Sequence, residues 1–163
     1  ASLDDLLALL SSLSSRTFTF ASLTTLEYLR RSGRVSSLRT QLASLLDIRP
    51  VMKLHAGKVI MEVARTRRRA LERVVSLAAS LGPLEAVGFA HANAPGEAAA
   101  LRERLAPVTA GLPDPVVNTA TPAIGAHVGP GAVCAVCLAA EVPGQPSPST
   151  VERIRQTFKS LTG

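Results

Sequence analysis

The uncharged run Ala132–Ala140 (Ala-Val-Cys-Ala-Val-Cys-Leu-Ala-Ala) constrains the fold more than any other segment. It is too apolar to lie in water and far shorter than the roughly 20 residues a helix needs to cross a bilayer. As a strand it must be covered on both faces or largely buried. The rest of the chain has to supply its neighbours and its covering layer. Thr17–Ala21 alternates with period two and reads as a strand. Val51–Leu54 and Lys58–Val63 flank His55-Ala56-Gly57 as a hairpin. Ala86–His91 and Val116–Ala120 are two more apolar strands.

Helical signals lie between them. Ser2 and Asp5 have capping-box spacing ahead of a stripe at Leu3, Leu6, Leu7, Leu10 and Leu13. Thr24 or Thr25 can cap a helix that carries Leu26 and Leu29 and stops near Ser32-Gly33. Arg39–Leu46 reads as a short helix ahead of Pro50. Arg67–Leu81 is a helix with a buried stripe of Leu71, Val74, Val75 and Ala78, ended by Gly82-Pro83. Asn93 caps a helix with Pro95 in its first turn, and Leu101 and Leu105 face inward. A Pro/Ser-rich link, Pro143–Ser149, leads to a last helix, Thr150–Leu161. A hairpin followed by strand-helix-strand units predicts an α/β fold: a two-layer domain on a mixed sheet of about six strands, with helices mainly on one face, as a single domain over residues 1–163.

Composition narrows the function classes. With 47% hydrophobic and 18% charged residues the chain is not disordered, and two cysteines exclude a disulfide scaffold. The start, Ala1-Ser2-Leu3-Asp4-Asp5, has early acids and no basic segment, so a cytoplasmic location is expected. The net charge of +6 is uneven. Arg30–Arg73 holds twelve Lys/Arg and three Asp/Glu, while the remainder is net negative. Arginine is fifteen of the eighteen cations, which suits bidentate carboxylate or phosphate contacts and also fits a GC-rich coding bias. A basic face can meet nucleic acid, a membrane or an acidic protein. No aromatic residue interleaves with the basic run, which counts against a base-stacking platform.

Four constellations could carry chemistry. Ile124–Gly131 reads as a glycine-rich loop between two strands that projects His127, an imidazole able to donate to an anion, or simply a solvated turn. Tyr28–Ser36 places Arg30, Arg31 and Arg34 around Gly33 at a helix end, where the backbone dipole alone favours cations and an anion site is the functional reading. Ala64–Ala70 concentrates Arg65, Arg67, Arg68 and Arg69 at a strand-to-helix junction, as a partner patch or a solvated face. Cys134 and Cys137 have a redox or zinc spacing, but residues three apart on a strand point to opposite faces, so two buried small residues are expected. His55 and His91 have no partner at metal-ligand spacing. No Walker loop, dinucleotide fingerprint, zincin motif or nucleophile elbow is present. No metal and no cofactor are therefore expected, and an enzyme working alone is disfavoured.

Five segments in register resemble the C-terminal domain of the DegV family of bacterial fatty-acid-binding proteins. They are Thr24–Val35, Leu45–Pro50, Ala64–Leu71, Gly88–Asn93 and Gly125–Gly131, and the resemblance covers about residues 1 to 140. It implies one of two domains, with a long-chain fatty acid buried at their junction, and a two-layer α/β structure on a six-stranded mixed sheet. It implies a non-catalytic, acyl-binding subunit of fatty-acid kinase, which presents the carboxylate to a separate kinase subunit. By this likeness His127 would hydrogen-bond the carboxylate, with Gly125 and Ala126 beside it and Arg31 (and Arg34) supporting the network. Arg65, Arg67, Arg68 and Arg69 would lie on the kinase-docking face. The chain departs from the family pattern at Ala126, where a hydroxyl residue is usual, at Ser32, where glycine is frequent, and at Cys134 and Cys137. The family's N-terminal domain has no counterpart here, so an incomplete protein with an exposed apolar wall, self-associating through the N-terminal helix, is expected. The alternatives are a nucleic-acid-binding or regulatory module using the basic segment, and an enzyme of the dihydroxyacetone-kinase type binding a small carbonyl substrate through a histidine.

Overall fold

The strand signals resolve into one mixed sheet. A computed structural model describes residues 2–33 and 48–143. Its strands are β1 (Thr17–Ser22), β2 (Arg49–His55), β3 (Lys58–Ala64), β4 (Leu84–His91), β5 (Val117–Thr119) and β6 (Val133–Ala139). Its helices are α1 (Leu3–Arg16), α2 (Glu27–Arg31), α3 (Arg67–Ala79), α4 (Pro95–Thr109) and α5 (Pro122–Val128). The sheet order is β3-β2-β1-β6-β4-β5, with β4 and β5 parallel and every other pair antiparallel. The two-layer α/β expectation holds.

The apolar run Ala132–Ala140 becomes β6, flanked by β1 and β4. Val133, Ala135, Cys137 and Ala139 are buried under α3 and α4, with Phe20, Val87, Phe89, Leu101 and Leu105 around them. Cys134, Val136 and Leu138 point to the other face and are only half-buried. That face is covered at one end by the short α2 and α5, where Ala21, Leu23, Leu29, Ala92 and Ala132 form a second cluster. Of the two expectations, covered on both faces or largely buried, the second describes β6: one face is buried and the other half-buried. The two cysteines do fall on opposite faces, and burial raises both thiols, Cys137 to about 12. On opposite faces of one strand they cannot meet in one disulfide or on one metal ion, which removes the paired redox and zinc readings.

Local chemistry explains most boundaries. The Ser2 hydroxyl accepts from the Asp5 amide at 3.2 Å and the Asp5 carboxylate accepts from the Ser2 amide at 2.7 Å, the reciprocal capping box. The Thr66 hydroxyl caps α3 by accepting from the Arg69 amide. Its buried stripe is Ala70, Leu71, Val74, Leu77 and Ala78, with Val75 half-buried, one step round from the expected stripe. The α1 leucines stay in water: Leu3, Leu6, Leu7 and Leu10 are all exposed. Only its end is anchored, by Arg16 to Glu85 at 2.7 Å and to the Ala139 carbonyl at 2.8 Å.

Two expectations need correcting. The Ile124–Gly131 segment is not a loop throughout: Pro122–Val128 is helical. The Thr121 hydroxyl accepts from the Ile124 amide at the cap, Pro122 takes the first turn, where no amide hydrogen is needed, and Gly129 ends the helix. Nor does Asn93 cap α4. The cap residue is Ala94, and its amide donates to the Nδ1 of His91 at 3.3 Å. The helices expected at Arg39–Leu46 and Thr150–Leu161, the link Pro143–Ser149 beyond residue 143, and Arg34 lie outside the described residues.

Candidate functional site

The three histidines have different fates. His55 stacks on Phe18, with ring centroids 3.8 Å apart, and its Nδ1 donates to the Thr17 carbonyl at 2.9 Å. His91 spends its Nδ1 as the acceptor at the start of α4. His127, in the last turn of α5, has no hydrogen bond to any described residue, and its Nδ1 is buried without a partner. Stranding an N–H costs the full desolvation of a donor, so the ring is best accommodated with its proton on Nε2 and a bare lone pair inside. That tautomer offers Nε2–H as a donor to an anion.

α5 buries no residue of its own, so its ends hold it. The Tyr28 ring packs against Gly129, where an added Cβ would sit 2.3 Å from Tyr28 Cδ2. The Thr24 hydroxyl donates to the Pro130 carbonyl at 3.1 Å, and Arg49 donates to the Thr24 carbonyl at 2.7 Å. Arg67 donates to the Gly131 carbonyl at 3.2 Å. Sequence reasoning did not single out Thr24, Tyr28 or Gly129 for these contacts. The signals available were the Thr121-Pro122 cap and the glycine at 129.

The structure sets α2 beside α5 and so brings the Arg31 helix to the His127 helix. The Arg31 guanidinium itself is exposed and bonds Glu27 at 2.7 Å, a carboxylate it shares with Arg30. Those two guanidinium groups hold the Glu27 carboxyl at about 2. Gly125 and Ala126 lie in α5 itself, on its first and middle turns, half-buried and exposed respectively.

The arginine run at the start of α3 divides. Arg65, Arg68 and Arg69 are exposed. Arg65, Arg69 and Arg73 line a cleft of about 410 Å³ with Glu62 and Val63. Arg68 pairs loosely with Glu72 at 3.5 Å, whereas Arg65 and Arg69 make no ion pair among the described residues. Arg67 turns the other way. Its Nε lies 2.8 Å from the Glu97 carboxylate, an ion pair too bent to count as a hydrogen bond.

Glu62 anchors this side of the sheet. It accepts from Arg73 at 2.6 and 3.0 Å and pairs with Lys53, and these cations hold its carboxyl at about 2 instead of 4.5. A carboxyl lowered by folding stabilises fully above its unfolded value near 4.5, and that contribution is lost as pH falls from there towards 2. Glu62→Gln should cost about 0.5–1 kcal/mol at pH 7. Urea denaturation of both proteins should show the gap closing as the pH is lowered to 2, and a gap independent of pH would rule out the ion-pair account.

Among the described residues no group of three or more His, Cys, Asp or Glu could hold a metal, and no helix is long and apolar enough to cross a membrane.

Residues 1–141 match the model of a family described as uncharacterised protein, DegV family. A DegV domain-containing protein of Streptomyces coelicolor is 37% identical over 110 residues, covering 66% of this chain and 39% of that protein. One of Mycobacterium tuberculosis is 35% identical over 134 residues, covering 76% and 45%. The chain thus spans less than half the length of these curated relatives. Among solved structures, a DegV family protein of Corynebacterium glutamicum aligns with a TM-score of 0.76 at 26% identity, over 87% of this chain and 55% of that one. A fatty acid binding DegV family protein of Streptococcus agalactiae aligns at 0.75 and 26% identity, over 86% and 50%. A Thermus thermophilus member described for its fatty acid binding aligns at 0.72 and 30% identity, over 85% and 51%.

Proposed function

The chain belongs to the DegV family, and on that premise we propose that it binds a long-chain fatty acid and holds the carboxylate at His127. In this reading Gly125 and Ala126 let the headgroup approach α5, and Arg31 supplies a cation from α2. The protein is a non-catalytic, cytoplasmic carrier. It presents the carboxylate to a partner kinase that docks on Arg65, Arg68 and Arg69, with Arg67 at the root of the same cluster.

The observation that carries the reading is the His127 ring. It is the one histidine without a hydrogen bond among the described residues, with Nδ1 buried and Nε2 left to donate. The fatty-acid binding of the solved relatives supports it. Energetics agree. Burying methylenes at about 0.8 kcal/mol each gives a long tail roughly 10 kcal/mol gross. Desolvating the carboxylate costs several kcal/mol unless donors and a cation meet it.

Extraction of the purified family-length protein carrying this domain should release fatty acid, detected by mass spectrometry. His127→Ala should weaken retention about 10- to 100-fold, the loss of one hydrogen bond to a charged group. An extract without lipid, or full retention by His127→Ala, would overturn the reading.

The same reading leaves the exposed leucines of α1 as a surface that pairs in solution when nothing else covers it. The chain alone should self-associate at high concentration, and Leu6→Glu with Leu10→Glu should abolish this. Sedimentation of the unaltered chain as a clean monomer would sink that expectation. The nucleic-acid alternative rests on the exposed Arg65, Arg68 and Arg69, since Arg30, Arg31, Arg67 and Arg73 each pair with a carboxylate.

A further inference from the structure

We propose that Arg67 is a positioning residue for the His127 site, bracing the connection after α5 from the opposite layer of the fold. The inference rests on the reading that His127 meets the carboxylate. Its basis is a contrast inside one basic run. Arg65, Arg68 and Arg69 project outward, while Arg67 is half-buried and spans two elements. Its Nη2 donates to the Gly131 carbonyl at 3.2 Å, and its Nε faces Glu97 in the first turn of α4 at 2.8 Å. α3 and α4 lie on one face of the sheet and α5 on the other, so this side chain reaches round the sheet's end.

The reach matters because α5 has no buried residue to fix it. Its C-terminal connection is held by half-buried Val128 against the second cluster, by the Gly131 amide donating to the Ala92 carbonyl at 2.7 Å, and by three side-chain contacts: Tyr28 on Gly129, Thr24 on the Pro130 carbonyl, and Arg67 on the Gly131 carbonyl. The first two of these side chains come from α2 and the turn before it. Arg67 alone comes from the α3–α4 layer, and the Glu97 carboxylate holds its guanidinium in place. A planar fork can serve the carboxylate and the carbonyl together, whereas an ammonium is a single point of charge. Arg67 therefore ties the base of the basic surface to the segment that carries the imidazole. Loss of this tie lets α5 shift and misdirects Nε2–H.

The test uses the 163-residue chain and two readouts. Imidazole proton–nitrogen NMR reports the tautomer and titration of His127 without any lipid. Palmitate binding reports the site. Arg67→Gln should displace the His127 ring signals and weaken palmitate binding about tenfold. Arg67→Lys keeps a charge beside Glu97, so it should preserve more thermal stability yet still displace the ring signals. Arg102→Gln, the same charge change on the neighbouring helix α4, sets the baseline for both readouts. His127 signals of both Arg67 variants at that baseline would overturn the proposal, even if melting temperatures fall. If the unaltered chain binds no palmitate, the lipid extract of the family-length protein decides the carboxylate reading, and the ring signals still decide the role of Arg67.

Discussion

Leu101→Ala should destabilise the protein by about 2–5 kcal/mol, a large share of the 5–15 kcal/mol that holds a typical domain together. Leu101 is fully buried, and α4 buries only Ala98, Leu101 and Leu105 along its length. Leu101 and Leu105 share one core cluster with Phe89 of β4 and Ala135 and Cys137 of β6, the strands α4 packs on. Removing three carbons there loses transfer energy and leaves a cavity that a rigid sheet cannot close. Leu6→Ala in α1 is the matched control. The same atoms leave a side chain that is 47% exposed, and the cost should stay within about 0.5 kcal/mol. Urea denaturation of both variants at neutral pH decides it. Equal midpoints for the two, or a Leu101→Ala loss under about 1 kcal/mol, would mean that α4 is not held as described.

What could be read from residues alone follows from the range of the physics involved. Period-two alternation and a nine-residue apolar run are local, so the sheet's strands were legible, as were Leu101 and Leu105 as inward residues. Capping by Ser2 and Asp5 spans three positions and was also visible. α5 was missed because Gly125 and Gly129 suggested loop throughout. Yet Thr121, Pro122 and Gly129 are a cap, a first-turn proline and a helix-ending glycine in the right order, and they outweigh one interior glycine. Residue type alone points to Asn93 as the cap of α4, whereas the end of β4 sets the His91 ring beside the Ala94 amide.

The site was legible in part for the same reason. A histidine near glycines is a local signal, and His127 was found. The inward turn of Arg67 was not, because its partners Glu97 and Gly131 are 30 and 64 residues away and meet it only when two layers pack. Four arginines in five positions look alike as letters. Only the fold separates the one that braces from those that face solvent.

Two glycines of one short helix should respond to alanine with opposite signs. Gly129 sits at φ 76 and ψ 164, a region essentially restricted to glycine, and an added Cβ would lie 2.3, 2.6 and 2.8 Å from the Tyr28 ring atoms Cδ2, Cε2 and Cγ. Backbone strain alone costs about 1–3 kcal/mol, and displacing the ring adds to it. Gly125 lies inside α5, with nothing within 4 Å of an added Cβ and no positive φ. Alanine there should stabilise by about 0.5–1 kcal/mol, since helical alanine gives up less backbone freedom. A double-mutant cycle separates the two costs at Gly129. In a Tyr28→Ala background, Gly129→Ala keeps its strain but has no ring to displace, so its penalty should shrink without vanishing. A penalty unchanged by Tyr28→Ala would show that the ring does not clamp α5. A destabilising Gly125→Ala would show that the segment is not helical in solution, and with it would go the placement of His127 on a helix end.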